Sequence, residues 1–270
     1  MADPNELISH VQDAEAFHII RGWEIPIPQP FAALGFRITK FMVVELIAAL
    51  LMIAIFVPLA RRLRSGGAPR GRLANIFEAM LIFIRDEVAR PSIGEHYADR
   101  FLPFLWTLFF FVLFGNLLGM LPWLGSPNGS LSCTTAMAAV TFIVVVGAGM
   151  KTFGIVGFWK GQVPHVEIPF VMGIFLKPML FAIEVVGLLV KHAILAMRLF
   201  ANMFAGHLVL VVIMGFIVQL AGTWIWYGVA PVSVLGSVAL NLLELLVCFI
   251  QAYVFTFLAA IFIGMAVHQH

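Results

Sequence analysis

The chain has 270 residues, 62% of them hydrophobic and 11% charged, with a mean hydropathy of +1.03. That composition excludes an ordinary water-soluble domain and implies an all-α, polytopic membrane protein. A net charge of +2 is too small for a nucleic-acid surface, and the two cysteines, Cys133 and Cys248, are too far apart for a disulfide framework or a metal-ligand pair.

Residues 1–37 are polar and proline-bearing (WEIPIPQP) and read as an outer-side surface segment with one short helix. They carry Asp3, Glu6, Asp13 and Glu15 and lack the apolar core of a secretory leader. Residues 38–270 read as a single membrane domain. Its first span is Phe41 to Leu59, interrupted only by Glu45, to which no role is assigned. The densest basic run, ARRLRSGGAPRGR, follows. An amphipathic helix is predicted over about 73–90, with Ile76, Phe77, Met80, Phe83 and Ile84 on one side. It is short and charged, so it is expected along the membrane surface. Phe101 to Leu121 is a second span, and Thr135 to about Phe158 a third. Lys151, Lys160 and Lys177 read as interfacial residues that reach for water.

Two apolar segments remain, Ile168 to Leu220 and Pro231 to Val267. As helices they run to roughly 80 Å and 55 Å, against a hydrocarbon core of about 30 Å. Either the first breaks near Lys191 and His192 to give six spans, or both tilt steeply. Pro178 and Gly187 make no clear turn, so tilted helices and five crossings are expected, the last two forming a long hairpin over about 168–267. The basic run at 60–72 then faces the cytoplasm, with the N-terminus outside and the C-terminus inside.

Arg198 carries the strongest functional signal. It stands in HAILAMRLFANMFAGHLVLVVIMGF with no acid nearby. An arginine at bilayer depth costs at least roughly 2.5–3.5 kcal/mol and cannot shed its proton. A partner outside the chain or a water-filled cavity must make it tolerable. Folding the last two segments about Ile225 puts His207 level with Glu244, Asn202 with Cys248, and Arg198 with Gln251. Asn241, Glu244, Cys248 and Gln251 share one helix face, while Glu184, Lys191 and Arg198 recur every seventh residue on the preceding helix. His207 and Glu244 suit proton relay, whereas Arg198 is a fixed charge that blocks protons from passing straight through. The blander alternatives are a buried structural His207/Glu244 pair, Asn202 and Gln251 as interhelical glue, and mutual neutralisation of Glu184 and Lys191. A proton-coupled transporter requires internal repeats that the sequence lacks. An intramembrane metallo-enzyme built on His192, His207 and Glu244 lacks a close ligand cluster. A purely structural subunit of a respiratory complex leaves Arg198 unexplained.

RLFANMFAGHLVL (Arg198 to Leu210) together with LELLVCFIQAYVFTFLAAIFIGMAVH (Leu243 to His268) resembles subunit a of F-type ATP synthases. FLPFLWTLFFFVLFGNLLGMLP (Phe101 to Pro122) and FIRDEV (Phe83 to Val88) fit the same family, and the resemblance covers most of the chain from about residue 38. It implies a stationary, non-catalytic proton-channel subunit with two half-channels beside a rotating c-ring. The partners implied are the c-ring subunits, peripheral-stalk b subunits and the rest of the ATP synthase complex, with membrane lipid around them and no cofactor or metal. Arg198 would face the ring carboxylate. His207 and Glu244 would form the outer half-channel relay, Asn202 and Gln251 its polar lining, and Glu184 an acid of the inner half-channel. Many bacterial members carry the acid on the first helix and the histidine on the second; here the two are exchanged, as in mitochondrial relatives. The placement implied is a bacterial cell inner membrane, with a mitochondrial inner membrane as the alternative.

Overall fold

A computed structural model of the chain describes residues 16–20, 23–29, 37–64, 71–121, 124–162 and 170–268. Strands β1 (Ala16–Ile20) and β2 (Trp23–Pro26) pair antiparallel, with an irregularity in register between His18 and Ile20. The short helix expected in residues 1–37 is therefore not what residues 16–26 form. Their β-branched and aromatic residues favour extended backbone, and the prolines of IPIPQP deny a helix its N–H donors. Gln29 then pins the arm to the first span: its amide nitrogen donates to the Ile38 carbonyl at 2.7 Å, and the Ile38 N–H donates back at 2.8 Å.

The helices are α1 (Lys40–Arg64), α2 (Arg72–Phe83), α3 (Arg90–Ile93), α4 (Glu95–Gly119), α5 (Leu131–Phe153), α6 (Ile155–Gly161), α7 (Phe170–Gln219) and α8 (Trp226–Val267). Five of them, α1, α4, α5, α7 and α8, are long and apolar enough to cross a membrane. The chain is thus a multi-pass membrane protein, and the described residues hold the five candidate crossings that were expected. Arg61, Arg62 and Arg64 close the last turn of α1 and are exposed, as suits a helix leaving hydrocarbon at a charged surface. The rest of that basic run, residues 65–70, and the loop at 163–169 lie outside the described residues.

α7 is continuous through Lys191 and His192 over its 50 residues. At about 1.5 Å per residue it is about 75 Å long, so it can keep its apolar surface in hydrocarbon only by tilting or lying partly along the membrane. A turn at Leu220–Ile225 reverses the chain into α8. Gly222 takes a positive φ of 89° there, and the Thr223 hydroxyl donates to the Leu220 carbonyl at 2.7 Å.

The residues fall into two compact units, each assembled from three stretches of chain. One holds residues 1–70, 109–134 and 199–253. In it Phe56 and Phe110 pack with ring centroids 4.5 Å apart, joining α1 to the second half of α4. The other holds residues 71–108, 135–198 and 254–270. Here the amphipathic segment is helical from Arg72 to Ile93 but widens into a π-helical stretch at Ile84–Ala89. A π stretch offsets the normal hydrogen-bond ladder, and the Leu81 carbonyl just before it accepts from the Trp106 indole N–H of α4 at 3.0 Å. Ile84, Val88, Ala89 and Ile93 are fully buried, whereas Leu73, Ile76, Ile82 and Phe83 remain exposed. Asp86 accepts from Arg85 at 2.9 Å and 3.1 Å and from Arg90 at 3.0 Å, which holds its carboxyl below the usual carboxylate range, chiefly through the Arg85 hydrogen bonds.

Candidate functional site

The site lies on the α7–α8 hairpin, within the unit that contains residues 199–253. His207 on α7 faces Glu244 on α8, with Nδ1 3.8 Å from Oε1. That is ion-pair distance but longer than a hydrogen bond. Glu244 is 6% exposed, so its carboxyl is almost wholly removed from solvent by the chain itself. Glu244 Oε1 and His207 Nε2 are both buried without a hydrogen-bond partner among the described residues. Buried polar atoms of that kind are uncommon, and each calls for an explanation in strain, in a functional role or in a bound water or ion. Gly206 makes the close approach possible: a Cβ there would stand 2.8 Å from Glu244 Oε1. The carboxyl therefore leans on bare backbone beside the histidine.

Two turns deeper along α8, Gln251 is 1% exposed, and its amide oxygen accepts from the Asn202 amide nitrogen at 2.8 Å. Gln251 Nε2 is a further buried donor with no partner among the described residues. The layering expected from the sequence set Asn202 level with Cys248. The bond observed instead ties Asn202 to Gln251, three residues further along α8. The face shared by Glu244, Cys248 and Gln251 is turned inward, while Asn241 on the same stripe is exposed.

Arg198 sits one helical turn before Asn202 with its side chain exposed, and no acid lies within ion-pair distance among the described residues. Glu184 and Lys191 approach to 3.9 Å, both about two-fifths exposed, at the outer limit of an ion pair. A pair so exposed contributes at most about 1 kcal/mol. His192 is buried between Phe142 and Phe262, with ring centroids 5.2 Å and 5.1 Å away. Its Nδ1 donates to the Leu188 carbonyl at 2.9 Å. Among the described residues, no three His, Cys, Asp or Glu side chains are grouped to hold a metal ion.

The sequence reading did not single out Asn116 or Asn128, which are both buried in this unit and hydrogen-bonded to each other at 2.7 Å. The signal was present. Asn116 is the one amide in the otherwise apolar stretch FLWTLFFFVLFGNLLGM, and an amide at that depth needs a partner.

The family described as ATP synthase A chain matches residues 42–264 of this chain. "ATP synthase subunit a" of Myxococcus xanthus (strain DK1622) is 42% identical over 240 residues, covering 88% of this chain and 76% of the relative. "ATP synthase subunit a" of Anaeromyxobacter dehalogenans (strain 2CP-C) is 37% identical over 243 residues, covering 89% of this chain and 60% of the relative. The protein of the same name from Chloroherpeton thalassium (strain ATCC 35110 / GB-78) is 36% identical over 271 residues, covering 98% and 78%.

Proposed function

Since the chain belongs to the ATP synthase A chain family, we propose that it is the stationary, non-catalytic proton-conducting subunit of a membrane ATP synthase. It would offer two half-channels to a rotating ring of carboxylate-bearing c subunits and couple proton flow to rotation. The observation that carries this reading is the buried His207/Glu244 pair; Arg198, nine positions before His207 in the chain, is exposed and has no acid within ion-pair distance among the described residues. A histidine and a carboxyl withdrawn from water can hand a proton on when a small side-chain movement closes their 3.8 Å separation.

Arg198 is the opposite kind of group. It stays charged, and a mobile carboxylate arriving from a partner subunit would supply the missing counter-ion. A proton entering past His207 and Glu244 neutralises such a carboxylate, which can then leave Arg198 and enter lipid. The next carboxylate gives up its proton on the other side, beyond Glu184, and takes its place. Each charge moved down the potential releases about 2.3 kcal/mol per 100 mV. The long α7 suits a ring partner, because large apolar residues along it, among them Phe175, Ile183, Val186 and Leu208, are left exposed by this chain. In this reading the peripheral stalk holds the subunit still, the membrane is a bacterial inner membrane, and the N-terminus is outside with the C-terminus in the cytoplasm.

The test is ATP-driven proton pumping in inverted vesicles carrying the assembled complex, parent against Arg198→Ala. Loss of coupled pumping with ring and ATPase head still bound is expected. Undiminished pumping would leave Arg198 a structural charge and sink the mechanism.

A further inference from the structure

The unit that holds the site contains a second polar contact, made to α8 from α4 and the turn that follows it. Asn128 belongs to the turn between α4 and α5, where Pro127–Gly129 make one 3-10 turn, and the residue is only 2% exposed. Its amide nitrogen donates to Asn116 Oδ1 at 2.7 Å. Asn116 is fully buried near the end of α4, and its own amide nitrogen lies 3.4 Å from the Cys248 carbonyl of α8, at the long end of hydrogen bonding. The direction of the chain of bonds is set at its α8 end. The Cys248 carbonyl can only accept, so Asn116 must turn its NH2 towards it, and the Asn116 oxygen then accepts from the Asn128 NH2, which holds Asn116 in that orientation.

The turn is seated against backbone rather than side chains. A Cβ on Gly115 would stand 2.9 Å from Asn128 Nδ2, and one on Gly119 would stand 2.5 Å from Ser126 Oγ. A side chain on Gly119 would press on the Ser126 backbone and lift the turn, whereas one on Gly115 would push the Asn128 amide aside. Cys248 lies one turn after Glu244 and just under one turn before Gln251 on the buried face of α8. A contact at its carbonyl therefore acts at the middle of the proton-handling stripe. Asn202 holds Gln251 from α7, and Asn116 holds Cys248 from α4.

We infer that Asn128 and Asn116 are positioning residues for proton transfer: the turn locks Asn116, which fixes the rotation of α8 and so the approach of Glu244 to His207. This rests on the proton-conducting reading above. A helix free to roll by a few degrees would change the 3.8 Å separation of the two titrating groups. Proton transfer is steep in such distances.

The experiment uses the whole complex in inverted vesicles, with Asn128→Asp and Gly115→Ala made separately. The first keeps the size of the side chain and removes the donor; the second displaces the same side chain from behind. Gly147→Ala on α5, where a Cβ meets nothing within 4 Å, serves as the control. Both test variants are expected to assemble with ring and ATPase head, to lose about threefold to tenfold in pumping, and to shift the pH midpoint of passive proton conductance in the same direction. The control should match the parent. A merely structural contact would leave the pH midpoint in place. Parent-like rate and pH profile in both variants, with Arg198→Ala inactive, would overturn this inference while leaving the proton-conducting reading intact. An active Arg198→Ala would overturn that reading instead. Failure of both variants to assemble would also overturn the inference, since the contact would then build the chain rather than tune its site.

Discussion

Gly206→Ala perturbs the site by one methyl group. The Cβ would stand 2.8 Å from Glu244 Oε1 and 3.1 Å from its Cδ, where ordinary contact begins near 3.4 Å. The carboxyl must therefore retreat from α7 by about 0.6 Å, the difference between 2.8 and 3.4 Å. It is the far end of a flexible side chain, so the cost is that of modest overpacking, about 1 kcal/mol, rather than collapse of the hairpin. The retreat lengthens the 3.8 Å separation from His207 Nδ1 and moves the pair further from hydrogen-bonding distance. Misplacement by 1 Å at a reacting centre can cost about a hundredfold, so about 0.6 Å is expected to lower pumping about tenfold. The assay is ATP-driven quenching of a pH-sensitive dye in inverted vesicles, normalised to ATPase activity and to the amount of complex recovered. Pumping at the parent rate in a fully assembled Gly206→Ala complex would refute the claim that Glu244, placed where it is, handles the proton.

Exchanging the pair tests whether its two members act together. His207→Glu sets two carboxyls side by side and Glu244→His sets two imidazoles, so each alone is expected to lose about 90% or more of pumping. The double exchange restores one of each type and should recover a large share of that loss; a double variant no better than the worse single one would separate the two residues. Trp106→Phe removes the indole donor to the Leu81 carbonyl. It is expected to destabilise the anchorage of the amphipathic helix by about 0.5–1.5 kcal/mol, read as faster amide exchange through the π-helical stretch at Ile84–Ala89 with pumping largely kept. Unchanged exchange there would show that packing of Ile84 and Val88 alone holds the segment.

The number of crossings was legible in the chain because lipid imposes a hard rule. Backbone polar groups must be satisfied within each span, and hydrophobic runs of sufficient length can do little else. The same rule made Arg198 conspicuous, since a fixed charge in such a run demands an explanation that Leu199 or Phe200 does not. Hairpin arithmetic also brought His207 to Glu244, because an antiparallel pair of regular helices leaves little freedom in register near its turn. Where regularity ended, the sequence lost its hold. The N-terminal strands at Ala16–Ile20 and Trp23–Pro26 depend on pairing with each other, and no single-segment pattern reports a partner. The Asn202–Gln251 bond falls three residues beyond the Cys248 level that the hairpin count gave Asn202, a shift that depends on how the two helices are set against each other. Asn116 meets Cys248 across 132 positions of sequence, by way of a turn that fits only against glycine backbone. Periodicity and polarity determined how many helices form and which residues are too polar to be idle. Only tertiary packing decided which of those residues touch, because that depends on helix rotation and on a few ångströms of side-chain length that a linear pattern does not encode.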